Sequence, residues 1–118
     1  MIRRHLLPLL FLMLLTLAAF AQVLSPIEGQ AIGGLDMGSL FYPWLEFAHN
    51  QIWQGKLPLW DASRFVGYPF IANPQVALFY PPTWLALVFK VNTGIALYLV
   101  FHVWLAGAGM YLLSLIHI

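Results

Sequence analysis

Cysteine is absent from this chain. That excludes a disulfide framework, a thiolate nucleophile and a thiolate metal site, and it leaves no redox signature to read. Charge is nearly as scarce. Only 8% of the 118 residues are charged, against about 25% in ordinary soluble domains, so the composition is that of a membrane protein or a piece of one. Five Lys and Arg against four Asp and Glu give a formal net charge of +1. With no basic cluster interleaved with aromatics, nucleic acid is excluded as a partner. There is also no phosphate-cradling glycine loop, no zinc-ligand spacing, no Ser/His/Asp arrangement and no internal repeat.

What is abundant is apolar surface, 62% of the residues. No charge appears from Leu6 to Leu24. At about 1.5 Å per residue that stretch nearly spans a hydrocarbon core of about 30 Å. Arg3 and Arg4 precede it, and the positive-inside tendency keeps them in the cytoplasm and sends the following loop outside. The alternative is a cleaved leader, because Ala19-Phe20-Ala21 has the small-x-small form of a signal-peptidase site. A second apolar run begins at Gly94, interrupted only by His102, Ser114 and His117.

The expected fold is therefore an all-α membrane protein with two transmembrane helices joined by an extracytoplasmic loop. The divisions are a cytoplasmic N-terminus (1–5), transmembrane helix 1 (6–24), the loop (25–82), a short re-entrant or interfacial helix (83–91) and transmembrane helix 2 (94–118), which stops inside its apolar run. Within the loop an amphipathic helix is predicted over 43–54. Pro43 suits a first turn, Gly55 suits a C-terminal stop, and Phe41, Trp44, Leu45, Ala48 and Ile52 share a face. Pro81 and Pro82 suit the start of the next short helix, and Asn92-Thr93-Gly94 is expected to break it before the second span. Gly107 and Gly109 would let another helix approach closely.

Between the predicted loop helix and Pro82 lies an aromatic, proline-punctuated segment, Pro58 to Pro82. It is too rich in Pro, Gly and Asn for a helix and too rich in Trp, Tyr and Phe for a disordered tail. Its polar residues are candidates for binding. Lys56 and Arg64 can receive a phosphate or contact headgroups, and Asn73 and Gln75 can read sugar hydroxyls or start a turn around Pro74. Trp60, Tyr68, Phe70, Phe79 and Tyr80 can stack on a sugar or an isoprenoid, or form a local core. Asp36, in the glycine-rich Ile32-Gly33-Gly34-Leu35-Asp36-Met37-Gly38, can act as a base or a cation ligand, or cap the turn that follows. No spacing pairs Asp61 with Glu46.

The order of Asp36, Phe41-Tyr42-Pro43-Trp44, Gly55-Lys56-Leu57-Pro58-Leu59-Trp60, Gly67-Tyr68-Pro69, Ala72-Asn73-Pro74-Gln75 and Phe79-Tyr80-Pro81-Pro82 resembles the N-terminal part of the bacterial YfhO-type membrane proteins, which are similar to the GT-C class of glycosyltransferases. The resemblance implies a multi-span enzyme of the cytoplasmic membrane, of which this chain is the opening segment. It implies a polyprenyl-phosphate sugar as donor and a cell-envelope glycan or protein as acceptor, with Asp36 as the catalytic residue. Lys56, Trp60, Arg64, Asn73, Gln75 and Tyr80 are then the substrate-binding candidates. Some enzymes of that class place a divalent metal cation beside such a carboxylate, but no second ligand can be named here. The alternative is a non-enzymatic membrane scaffold or assembly protein with a docking loop.

Overall fold

In a computed structural model of the chain, residues 2–25 and 32–117 are described. Among them the chain is mostly helical, with no strand beyond one isolated bridge between Asp61 and Tyr68. Two compact units emerge, residues 1–30 with 99–118 and residues 31–98, and each is taken by itself.

In the first unit, α1 (Ile2–Ala19) is followed by the single turn α2 (Ala21–Leu24). The break falls at Phe20, whose carbonyl accepts from both Val23 and Leu24 N–H groups at 3.0 Å. That tightened turn divides the expected span 6–24. Thr16 is buried and satisfied, its hydroxyl donating to Leu12 O at 2.8 Å. α5 (Val91–His117) supplies the other half of this unit from residue 99 onward. His5 Nδ1 and the Tyr111 hydroxyl share a 3.0 Å hydrogen bond, and Trp104 Nε1 donates to Leu9 O at 3.3 Å. The rising numbers on α1 meet falling numbers on α5, so the two run antiparallel. Gly107 comes no nearer than an ordinary contact with Leu12, and Gly109 meets nothing, so neither makes the close approach expected of them.

Val91–Ile116 within α5 is long and apolar enough to cross a membrane, and only 11% of an apolar 18-residue portion of it is buried inside the chain. α1 is apolar but shorter.

The second unit is built on α3 (Tyr42–Trp53), with Pro43 in its first turn. Its end is set by Gly55 at φ +72, where Gly55 N–H donates to Ile52 O and Lys56 N–H to Gln51 O, both at 2.9 Å. This is the paired bonding of a left-handed glycine stop. Trp44 and Ala48 are buried with Phe70, Val76 and Leu87, and Phe47 packs on Phe70 with ring centroids 4.7 Å apart. Ile52, placed on the same face by periodicity, is exposed, because the helix outruns the core that covers it.

Around that core the Pro58–Pro82 segment is pinned by three 3₁₀ turns, Phe70–Ala72, Pro74–Val76 and Pro81–Thr83. Ile71 N–H reaches Leu59 O at 3.3 Å, and Trp84 Nε1 reaches Leu78 O at 2.9 Å. The helix expected over 83–91 is only α4 (Trp84–Val88). The chain breaks at Phe89, which is extended at ψ 170, and α5 starts at Val91. Asn92-Thr93-Gly94 therefore lies inside the first turn of α5 and does not break it. Gly94 is there for another reason: a Cβ on it would lie 2.3 Å from Ala86 Cα and 2.5 Å from Leu85 O, so α5 rests on the backbone of α4. α3 grips α4 from the other side, where Trp53 Nε1 donates to Leu87 O at 3.0 Å. His49 Nδ1 meets the same carbonyl at 3.0 Å, which fixes its proton on Nδ1.

Candidate functional site

Asp36 is exposed, in helical conformation, at the head of a short π-helical turn, Met37–Phe41, that leads into α3. Its carboxylate caps nothing, so the capping reading is corrected: among the described residues it accepts no hydrogen bond. The turn is fixed by others. Ser39 Oγ donates to Leu35 O at 2.7 Å, Gly38 N–H donates to Gly34 O at 3.1 Å, and Ile32 N–H donates to the Tyr42 hydroxyl at 3.1 Å. Gly34 at φ +135 turns the chain into it, a backbone angle that side chains strongly disfavour. Residues 26–31, which include part of the irregular stretch expected from Ser25 to Ser39, lie outside the described residues.

The other candidates fall into different places. Lys56 is exposed, its Nζ 3.4 Å from Gln54 Oε1. Trp60, Arg64 and Tyr68 share one hairpin, closed by the Asp61–Tyr68 bridge with both backbone bonds at 3.0 Å. Gly67 N–H returns to Arg64 O at 2.8 Å, and Gly67, at φ +95, lies against the Trp60 indole so closely that a Cβ would meet it at 2.9 Å. Asn73 starts a turn as its neighbour Pro74 suggests, Oδ1 accepting from Gln75 N–H at 3.0 Å. The Tyr80 ring stands edge-on to Tyr98, centroids 6.4 Å apart.

Among the described residues three clefts lie close to these side chains. One of about 290 Å³ is mostly apolar, walled by Phe41, Trp44, Ala86 and Ile95, with Gln75 and Tyr98 at its polar points. A second, of about 380 Å³, lies between Trp44, Phe65, Tyr68, Pro69, Ala72 and Asn73. The third is a shallow surface between Asn73 and Tyr80. Asp36, Lys56, Trp60 and Arg64 line none of the three.

Sequence reasoning missed the polar atoms of the second unit. Asp61 is fully buried, with Oδ1 accepting from Ser63 N–H at 2.8 Å and from Ser63 Oγ, while Oδ2 has no partner among the described residues. Among the described residues Trp44 Nε1 and the Tyr68 hydroxyl are likewise buried without a well-aligned hydrogen bond, although the Trp44 and Asn73 side chains lie close enough to the phenol to interact with it. Burial holds the Tyr68 phenol above its ordinary pKa of 10.0; Asp61 pushes the same way, and the nearby Asn73, Arg64 and Trp44 oppose it. The Asp-x-Ser pattern at 61–63 signals the turn, but burial has no signature in a three-residue pattern.

Among the described residues no three of His, Cys, Asp and Glu come together to hold a metal ion. For the divalent cation that the resemblance allows, the described residues, which do not include Glu28, bring no such set together. No family model, no curated protein and no solved structure matches the chain.

Proposed function

We propose that this chain is the N-terminal portion of an integral membrane glycosyltransferase of GT-C type, taking its sugar from a polyprenyl-phosphate donor on the extracytoplasmic face. The observation that carries this is the state of Asp36. Its carboxylate is exposed, accepts no hydrogen bond from the described residues and is held on a π-helical turn, an element that recurs at functional sites. That turn ends in Phe41, a wall of the apolar 290 Å³ cleft that also carries Gln75. An apolar wall of this kind suits the first units of an isoprenoid chain.

The membrane topology proposed with it is a hairpin of two spans, N-terminus inside and residues 25–82 outside. The antiparallel pairing of α1 with α5 supports it, as do Arg3 and Arg4 before α1. In the reaction, the Asp36 carboxylate takes the proton of an acceptor hydroxyl as its oxygen bonds to the anomeric carbon. The bond from that carbon to the lipid phosphate breaks, and its electron pair leaves with the phosphate.

Removing a general base lowers rates by about 10²–10⁴. Reconstituted with polyprenyl-phosphate sugars and envelope acceptors, the full-length Asp36→Asn enzyme is expected to lose transfer by at least about a hundredfold with its fold intact. Undiminished transfer would overturn the assignment. A docking loop, favoured by the exposed Phe65, Val66 and Phe79, is the rival reading, and it predicts that Asp36→Asn changes nothing.

A further inference from the structure

α5 is longer than a bilayer needs. At about 1.5 Å per residue its 27 residues rise about 40 Å, against a hydrocarbon core of about 30 Å. The surplus lies at the N-terminal end, where residues 91–98 belong to the second unit and rise about 12 Å. Gly94, Ile95 and Ala96 are buried there, and a helix surface covered by its own chain does not face lipid. Residues 99–117 rise about 28 Å, close to the thickness of the core. Where α5 crosses a membrane, the hydrocarbon therefore begins near Tyr98 and not at Val91.

Contacts within the second unit then rank its parts by height above that level. Near the Val91 end, Trp53 in the last turn of α3 donates to Leu87 O at 3.0 Å, and Lys56 and Lys90 follow closely in the chain. At the Tyr98 end, Phe41 and Trp44 share the apolar cleft with Ile95 and Tyr98, and the Tyr80 ring stands edge-on to Tyr98. Residues 78–84 thus lie at the level where α5 enters the bilayer.

Their chemistry suits that place. No charged residue occurs between Arg64 and Lys90, a stretch in which a water-facing chain of ordinary composition would carry about six. Phe79 is 79% exposed, Trp84 52% and Tyr80 40%. The Trp84 indole N–H is already bonded to Leu78 O at 2.9 Å, so what it exposes is apolar ring. Pro81 and Pro82 have no N–H, and those of Ala77, Tyr80 and Thr83 are paired within the segment, so these groups lose nothing when headgroups replace water.

We propose that Phe79, Tyr80 and Trp84 form an aromatic foot that seats in the headgroup region of the bilayer beside α5, with the Phe79 ring among the upper acyl carbons. The partner is the lipid surface itself, which takes flat apolar rings with a polar edge at this depth. The first two turns of α5 stand in water above it, and α4 rises from it rather than re-entering the membrane. The inference rests on the topology proposed above only in that α5 crosses the membrane, and it requires no transferase activity.

The chain has no native cysteine, so Phe79→Cys, Asn92→Cys and Ala106→Cys, all at exposed positions, can each carry one nitrobenzoxadiazole label. In vesicles of phosphatidylcholine with phosphatidylglycerol, the label at 79 is expected to emit to the blue of the label at 92. It should lose fluorescence to a nitroxide high on the acyl chain, but not to aqueous iodide. The label at 92, about 9 Å higher on α5, should be quenched by iodide alone, and the label at 106, about 12 Å below Tyr98, by a nitroxide at the chain end. The unlabelled chain gives a second reading. Lipid brominated high on the acyl chain should quench part of its tryptophan emission, and Trp84→Phe should remove a share of that quenching.

Iodide quenching at 79 as strong as at 92, with 106 deep, overturns the proposal and leaves this surface to a protein partner. Lipid quenching at 92 equal to that at 79 overturns it as well, because the first turns of α5 would then be submerged. A quenched share unchanged by Trp84→Phe removes Trp84 from the foot and counts against its placement. A label at 106 open to iodide removes the span, and with it both the topology and the foot.

Discussion

Gly94→Ala gives a prediction whose sign alone is informative. In the first turn of a helix with nothing beside it, this change would stabilise by up to about 1 kcal/mol, the difference in helix propensity. Here the new Cβ would stand 2.3 Å from Ala86 Cα, 2.5 Å from Leu85 O and 2.6 Å from Ala86 N. All three are backbone atoms of α4, so no rotamer change relieves them. Carbon atoms pack at about 3.5–4.0 Å, so α4 and α5 must part by more than 1 Å.

Overpacking of this kind costs about 1–3 kcal/mol, and more where backbone must move. Set against the propensity gain, a net loss of about 2 kcal/mol is expected. The separation also reaches the apolar cleft, whose walls include Thr83 and Ala86 on the α4 side and Ile95 and Tyr98 on α5. Thermal unfolding in micelles measures the first effect. The second is measured by maleimide labelling of Ala86→Cys, in a chain with no native cysteine to interfere. Ala86 is buried, so labelling should be slow in the parent and fast with Gly94→Ala. A Gly94→Ala protein as stable as the parent, or more so, with labelling unchanged, would refute the close-packing argument.

Three further outcomes follow from the hairpin. Val66→Asn should raise stability by about 1 kcal/mol, because Val66 sits fully exposed at φ +62, where a β-branched residue is strained and Asn is tolerated; a lowered melting temperature would contradict this. Gly67→Ala should lower stability by about 1–3 kcal/mol and shift Trp60 emission, since φ is +95 and the indole is 2.9 Å from the added carbon; an unchanged spectrum and midpoint would count against that packing. Tyr68 has its pKa raised by burial, so the stability it confers is complete below its unfolded value of 10.0 and is lost as pH rises through the higher folded value. The melting temperature of the wild type should therefore fall relative to Tyr68→Phe only above about pH 10, and parallel curves to higher pH would show the phenol to be unperturbed.

What could be read in the sequence was whatever a local signal encodes. α3 is an example: Pro43 favours its first turn, Gly55 supplies the left-handed stop, and the apolar spacing puts Trp44 and Ala48 inside. Asn73 before Pro74 likewise gave its turn. Gly94 was misread because Asn-Thr-Gly is locally a breaker, and only the approach of α4, eight residues upstream, makes a glycine necessary there. His49 fell on the polar face by spacing, yet it binds Leu87 O, a partner no periodicity can indicate. The two glycines singled out for close approach, Gly107 and Gly109, have room for a side chain.

Asp61 carries the same reasoning to the candidate site. A fully buried carboxylate with one oxygen unmatched is a net cost to folding, since the unmatched oxygen loses water and gains nothing. Its hairpin carries further costs in Phe65 and Val66, both left-handed and both exposed. Residues chosen for stability alone would put Asn or Gly at those two positions and an apolar side chain at 61. Strain and unmatched polar atoms persist where surrounding structure overrides them, and they gather at sites that bind or react. Here the overriding structure is the paired backbone bonds of the bridge and the Phe47–Phe70 core beneath it. By that reasoning, the hairpin within the aromatic loop is the segment whose local costs most need a ligand to account for them.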